Sequence, residues 1–153
     1  MRRSRPSSSN LAAVSGTGFS IATLDRDGGE RFQRLRAELG VGSFGINLIV
    51  LAPRQRGRVH AHERQEEVYL VLEGELTLIV EGAEQRLVAD QLARVEPQVR
   101  RQLVNAGPQR LVLLALGGSG EHDGRDARAW ASWEESGPGR PPQDVPTPPD
   151  LPA

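Results

Sequence analysis

The 153-residue sequence predicts an all-β domain, a sandwich or small barrel. Short apolar or alternating segments recur with turn residues between them, and no long stretch carries a helical period. Both ends lack the patterning that builds a core. Strands at this spacing are the signature of sandwiches and barrels. The chain divides accordingly into an irregular, flexible leader over 1–18, one β-domain over 19–133, and a proline-rich tail over 134–153. From Gly137 to Ala153 the tail holds seven prolines, which permit neither a helix nor a central strand.

Within the domain, Phe19 to Leu24 is the first apolar segment. Phe32 to Leu39 is ambiguous, because Phe32, Leu35 and Leu39 also sit at helical spacing. Gly45 to Ala52, Val59 to His62, Val68 to Leu72 and Leu76 to Val80 follow as strands, then Arg86 to Val88, Leu92 to Val95, Gln102 to Asn105 and Leu111 to Leu116. Glu73-Gly74 and Glu81-Gly82 read as hairpin turns, glycine accepting the positive φ that other residues resist. Trp130 and Trp133 are expected to pack against the body.

Nineteen basic residues, all arginine, face twenty acidic ones, a net charge of −1 that gives no electrostatic basis for a nucleic-acid partner. The chain has no cysteine, which removes disulfide and thiol chemistry. No apolar segment approaches the ~20 residues a membrane helix needs, and the N-terminus lacks the apolar core of a signal peptide. The expectation is a soluble, cytoplasmic protein without a membrane partner.

Chemistry concentrates at His60-Ala61-His62 and Glu67, with Gly74 beyond them. Two residues apart on an extended strand, His60 and His62 leave the same face. Glu67 opens the next apolar run, so neighbouring strands would bring two imidazoles and a carboxylate together. That donor set suits Fe, Mn, Ni, Cu or Zn as a divalent cofactor. Tyr69, two residues past Glu67, would share its face and could donate to a ligand or simply pack. Glu66 is an alternative ligand if the turn differs by one residue, Gln65 is expected to face solvent, and His122 lies past the last strand, where a ligand role is not expected.

The stretch from Pro53 through His60-Ala61-His62 and Glu67 to Gly74 resembles the first motif of the cupins, a glycine, then His-x-His, a glutamate and a turn glycine. The spacings His62-x4-Glu67 and Glu67-x6-Gly74 match it. Arg54 stands where that motif has its first glycine. The resemblance, to small single-domain cupins, covers about Gly45 to Gly118. It implies a double-stranded β-helix, the cupin jelly-roll barrel, with ligands pointing into its mouth, and a homodimer as the common assembly.

Cupins usually add a histidine from a second motif, and here Ala89 to Asn105 stands in its place without one. Alignment on Asp90, Asn105 or Pro97 puts Arg100, Arg101 or Gln102 at the ligand position. Alternation favours Arg101, with Leu103 and Asn105 on the same inward face. A guanidinium donates and stays charged, so it repels a cation instead of ligating one. Three outcomes follow: a two-histidine, one-carboxylate metal face with open positions; an anion held by Arg101, with Tyr69 and Asn105 as further substrate contacts; or a buried Arg101–Glu67 ion pair replacing the metal. The leading functional expectation is a small metal-binding protein, an enzyme of dioxygenase or isomerase type, acting on a small acidic molecule in the barrel. The alternative is a barrel that binds or senses a small anion without metal or catalysis.

Overall fold

The computed structural model describes residues 14–118 and 125–153. Val14–Gly16 (β1) pairs with Phe19–Ile21 (β2) across a turn at Gly18, so the expected leader boundary at residue 18 falls inside a two-stranded ribbon. The rest of the expected leader, residues 1–13, lies outside the described residues. The ambiguous segment splits between its two readings: Phe32–Gln33 is a short strand (β3) and Leu35–Leu39 a single helical turn (α1). Gly40 ends α1 in the left-handed conformation at φ 72°, its N–H donating to the Arg36 carbonyl.

The remaining strands are Gly45–Leu51 (β4), Val59–His62 (β5), Glu66–Glu73 (β6), Glu75–Val80 (β7), Ala83–Val88 (β8), Leu92–Val95 (β9), Arg101–Val104 (β10), Leu111–Gly118 (β11) and Ala127–Trp130 (β12). They form two five-stranded sheets, in the orders β12-β5-β10-β7-β8 and β3-β4-β11-β6-β9. Every pairing is antiparallel, and the sheets pack face to face as a jelly roll.

Between the sheets lie Ile49, Leu51, Tyr69, Val71, Leu76, Leu78, Leu103, Leu111 and Leu113, all buried. Burial of each such side chain contributes on the order of 1.5–3 kcal/mol. A second cluster, Leu35, Leu48 and Val112, lies under α1 on the outer face of β4 and β11. These two strands are therefore covered on both faces, which explains why they read as unbroken apolar runs.

The two glycine turns differ. At Glu81-Gly82 both residues have positive φ, 47° and 82°, and Val80 pairs with Ala83, a tight hairpin with a primed turn. Gly74, at φ 79°, joins strands of different sheets, so it is a corner and not the hairpin expected. A Cβ there would lie 2.3 Å from the Arg110 carbonyl oxygen, a contact only glycine avoids.

The proline-rich tail is irregular but docked. Arg140 exchanges backbone hydrogen bonds with Ala129 on the free edge of β12, a 3-10 turn spans Pro142–Asp144, and Val145 is fully buried. Three arginines ahead of β5 receive the rest: Arg58 Nε donates to the Val145 carbonyl, Arg56 Nε to the Pro149 carbonyl, and the Leu151 N–H donates to the Arg54 carbonyl. The Arg100 guanidinium lies between the rings of Trp130 and Trp133, 4.8 and 5.2 Å from their centroids, and donates to the carbonyls of Trp133 and Glu135. Trp133 in turn donates from its indole N–H to the Gln102 side chain.

Candidate metal centre and ligand cavity

β5 is the hinge of the site because it lies between β12 and β10 and faces β6 across the barrel. Its alternation buries Val59 and Ala61 on one face and turns His60 and His62 to the other, while Glu67 comes from the start of β6. The potential ligand atoms of His60, His62 and Glu67 all lie within 4.8 Å of one another. Both Nε2 atoms point at the same carboxylate oxygen, Oε2 of Glu67, at 3.4 Å from His60 and 3.3 Å from His62. The rings meet edge to face, 5.5 Å apart and at 84°.

The outer contacts of the two rings differ. His60 Nδ1 is 3.1 Å from the Arg58 carbonyl, which can only accept, so Nδ1 is turned outward as a donor and Nε2 is the ring atom left facing Glu67. His62 Nδ1 is buried with no hydrogen-bond partner among the described residues and stands 3.8 Å from the carboxylate of Asp126. Asp126 is itself fixed by the backbone N–H groups of Arg64 and Gln65. Two Nε2 atoms around one carboxylate oxygen can each give up a proton to make room for a cation between them, and an oxygen acceptor behind the ring is the usual outer support of metal-bound histidine. The three side chains fit a divalent metal on this donor chemistry.

Burial raises the pKa of Glu67, but hydrogen bonds and charge from His60 and His62 outweigh it and hold the carboxyl well below its usual range. Burial, with the Glu67 charge, pushes the Tyr69 phenol well above 10. Tyr69 is thus a fixed donor, and its hydroxyl donates to Glu67 Oε2.

Arg101 takes the inward place opposite His60 in the β10–β5 register, and is wholly buried. Arg100 and Gln102 point elsewhere, to the tryptophans and to the Gly57 carbonyl. Arg101 Nη2 donates to the Glu96 carbonyl, and Nε stands 3.9 Å from Glu67 Oε2. Its Nε and Nη1 have no hydrogen-bond partner among the described residues.

A cavity of about 280 Å³ opens on this cluster, lined by His60, His62, Glu67 and Tyr69, by Asn47 and Arg58, by Phe32, Ile49, Leu103 and Ala115, and by Pro142 of the tail. Arg101 is sealed behind this lining instead of standing in it. Asn105 lies outside this lining, past the end of β10: its amide donates to the carbonyls of Leu51 and Gln109, and its oxygen accepts from the Gly107 N–H. Gln65 is buried, not solvent-facing, and Glu66 turns outward to Arg94. His122 lies outside the described residues. Sequence reasoning missed Asp126, which has no local signal, and Arg58, which continues the alternation of His62 and His60 by one step and so was legible.

Residues 47–117 match the cupin domain family. Among the curated proteins none matches the chain. Among solved structures, it is similar to a protein called a sugar phosphate isomerase from a cupin superfamily, from Silicibacter pomeroyi, at 29% identity and a TM-score of 0.53. That alignment spans 57% of each chain. A cupin 2 conserved barrel domain protein from Salinispora arenicola aligns at 26% identity and a TM-score of 0.54, over 63% of this chain and 82% of that one. A cupin protein from Bacteroides fragilis, 18% identical, shares the fold at a TM-score of 0.60, over 70% of this chain and 90% of that one.

Proposed function

Because residues 47–117 are a cupin domain of the conserved-barrel type, we propose that this barrel binds one divalent metal through His60, His62 and Glu67 and catalyses an isomerase-type reaction on a small acidic molecule. The observation that carries this reading is the convergence of the two Nε2 atoms on a single Glu67 oxygen, with His60 backed by the Arg58 carbonyl and the Asp126 carboxylate 3.8 Å behind His62. A bound metal would supply Lewis-acid polarisation of a substrate carbonyl or hydroxyl at its open positions. The remaining work falls to the chain. Tyr69 holds Glu67 in place, the apolar walls exclude water, and the tail closes one side through Pro142. The likeness to a sugar phosphate isomerase supports isomerisation over the dioxygenase chemistry that a redox metal in the same three-ligand face would support.

A second reading has its own observation. Arg101 stands where cupins usually place a further imidazole, 3.9 Å from Glu67, and a metal-free barrel could use that buried pair as structure while binding an anion without chemistry. Elemental analysis separates the two. Protein expressed with ample metal is expected to carry about one ion per chain, the complement of a single three-ligand site, and the His60→Ala, His62→Ala double variant near none. Equal, near-zero metal in both would overturn the metal reading.

A further inference from the structure

We propose that Arg58 anchors the anionic end of the ligand, its guanidinium held at the cavity wall by the C-terminal tail. The proposal rests on reading this cavity as the ligand site. Among the described residues Arg58 is the one arginine that lines it. Arg101 is sealed behind the walls, and the neighbouring Arg31 and Arg56 are turned to the tail, at Asp150 and the Pro149 carbonyl.

Arg58 is oriented through one nitrogen only. Its Nε donates at 2.7 Å to the carbonyl of Val145, a fully buried residue of the docked tail, which fixes the plane of the guanidinium. Nη1 and Nη2 have no partner among the described residues. A guanidinium restrained at Nε presents those two nitrogens as a planar fork, the geometry that receives a carboxylate or phosphate by two parallel hydrogen bonds. Because Arg58 precedes His60 by two residues, the fork sits one alternation step from the imidazoles. A ligand gripped by Arg58 would therefore lay its body across Phe32, Leu103 and Pro142 with its far end at His60, His62 and Glu67. The small cavity limits that ligand to a short molecule with one oxyanion. The tail thus takes part in ligand recognition although it carries no residue of the metal cluster.

Titration calorimetry at fixed ionic strength, with inorganic phosphate in one arm and acetate in the other, tests this on full-length protein both metal-loaded and chelator-treated. Phosphate binding tighter than acetate identifies a phosphate-bearing ligand, the reverse a carboxylate, and neither exceeding chloride overturns the proposal. Arg58→Leu is expected to weaken the preferred anion about tenfold or more, and Arg58→Lys, which keeps charge but loses the fork, by an intermediate factor. Arg56→Leu removes an equivalent tail contact outside the cavity and should stay within about twofold of the parent. An equal loss in Arg56→Leu, or none in either Arg58 variant, overturns the proposal. Metal content of the same samples keeps the two readings apart. Arg58-dependent binding in a protein that takes up no metal leaves this inference standing and removes the metal, whereas metal-loaded protein indifferent to Arg58 does the opposite.

Discussion

Two sides of the barrel meet at Glu67 with opposite chemistry. The β5–β6 side presents the Nε2 atoms of His60 and His62. On the β10 side Arg101, in register with His60, is sealed behind the lining with Nε 3.9 Å from Glu67, so that side of the carboxylate meets donors and not a further acceptor. Strand pairing therefore preserves position while leaving the side chain free to change. A substitution at one register site can move a barrel between a closed ligand set and an open, more positive one without touching the fold.

The strongest way to break this contrast is Arg101→His, which returns an imidazole to the position opposite His60. Metal affinity, followed by competition with a chromophoric chelator, is expected to rise by at least the ~10-fold that even outer supports of a metal ligand contribute. An unchanged or weaker affinity would show that position 101 does not face the metal. Asn105→Ala sharpens the comparison by separating structure from ligand recognition on the β10 side. It removes two donations and one acceptance among buried backbone groups, so chemical denaturation should show a loss of roughly 2–4 kcal/mol, while metal content and anion affinity hold. A changed anion affinity in folded Asn105→Ala would restore the residue to the site. The smallest effect concerns the other wall. Arg54 has φ 73° at the place where the resemblance puts a glycine, so the chain keeps the left-handed turn with a residue that resists it. Arg54→Gly should raise stability by about 0.5 kcal/mol, strain relief offset in part by the entropy glycine loses; a clear loss would mean that side-chain contacts of Arg54 outweigh the strain.

What the sequence disclosed follows the range of the forces involved. His60, His62 and Glu67 were legible because a strand period and a short link set their spacing, and Arg101 because register follows alternation. Alternation carries less far at Asn105, one residue beyond Val104, where the strand ends and the side chain turns to hold the following loop. Strand β12 escaped notice because Ala-Arg-Ala-Trp has weak strand character, and its order comes from β5 on one side and Arg140 of the tail on the other. Proline composition told that the tail would lack regular hydrogen bonding, but not that its carbonyls would meet arginines far earlier in the chain. The expected hairpin at Gly74 became a corner because turn chemistry specifies a local backbone shape, not which sheet the next strand joins.

The aromatic contacts divide the molecule optically. Both tryptophans in the chain flank Arg100 beside the docked tail, and the single tyrosine bonds the Glu67 carboxylate. Indole emission is therefore a native reporter of tail attachment, separate from the one phenol that sits in the cluster. Release of the tail from Arg100 would appear in that emission without any label on the protein.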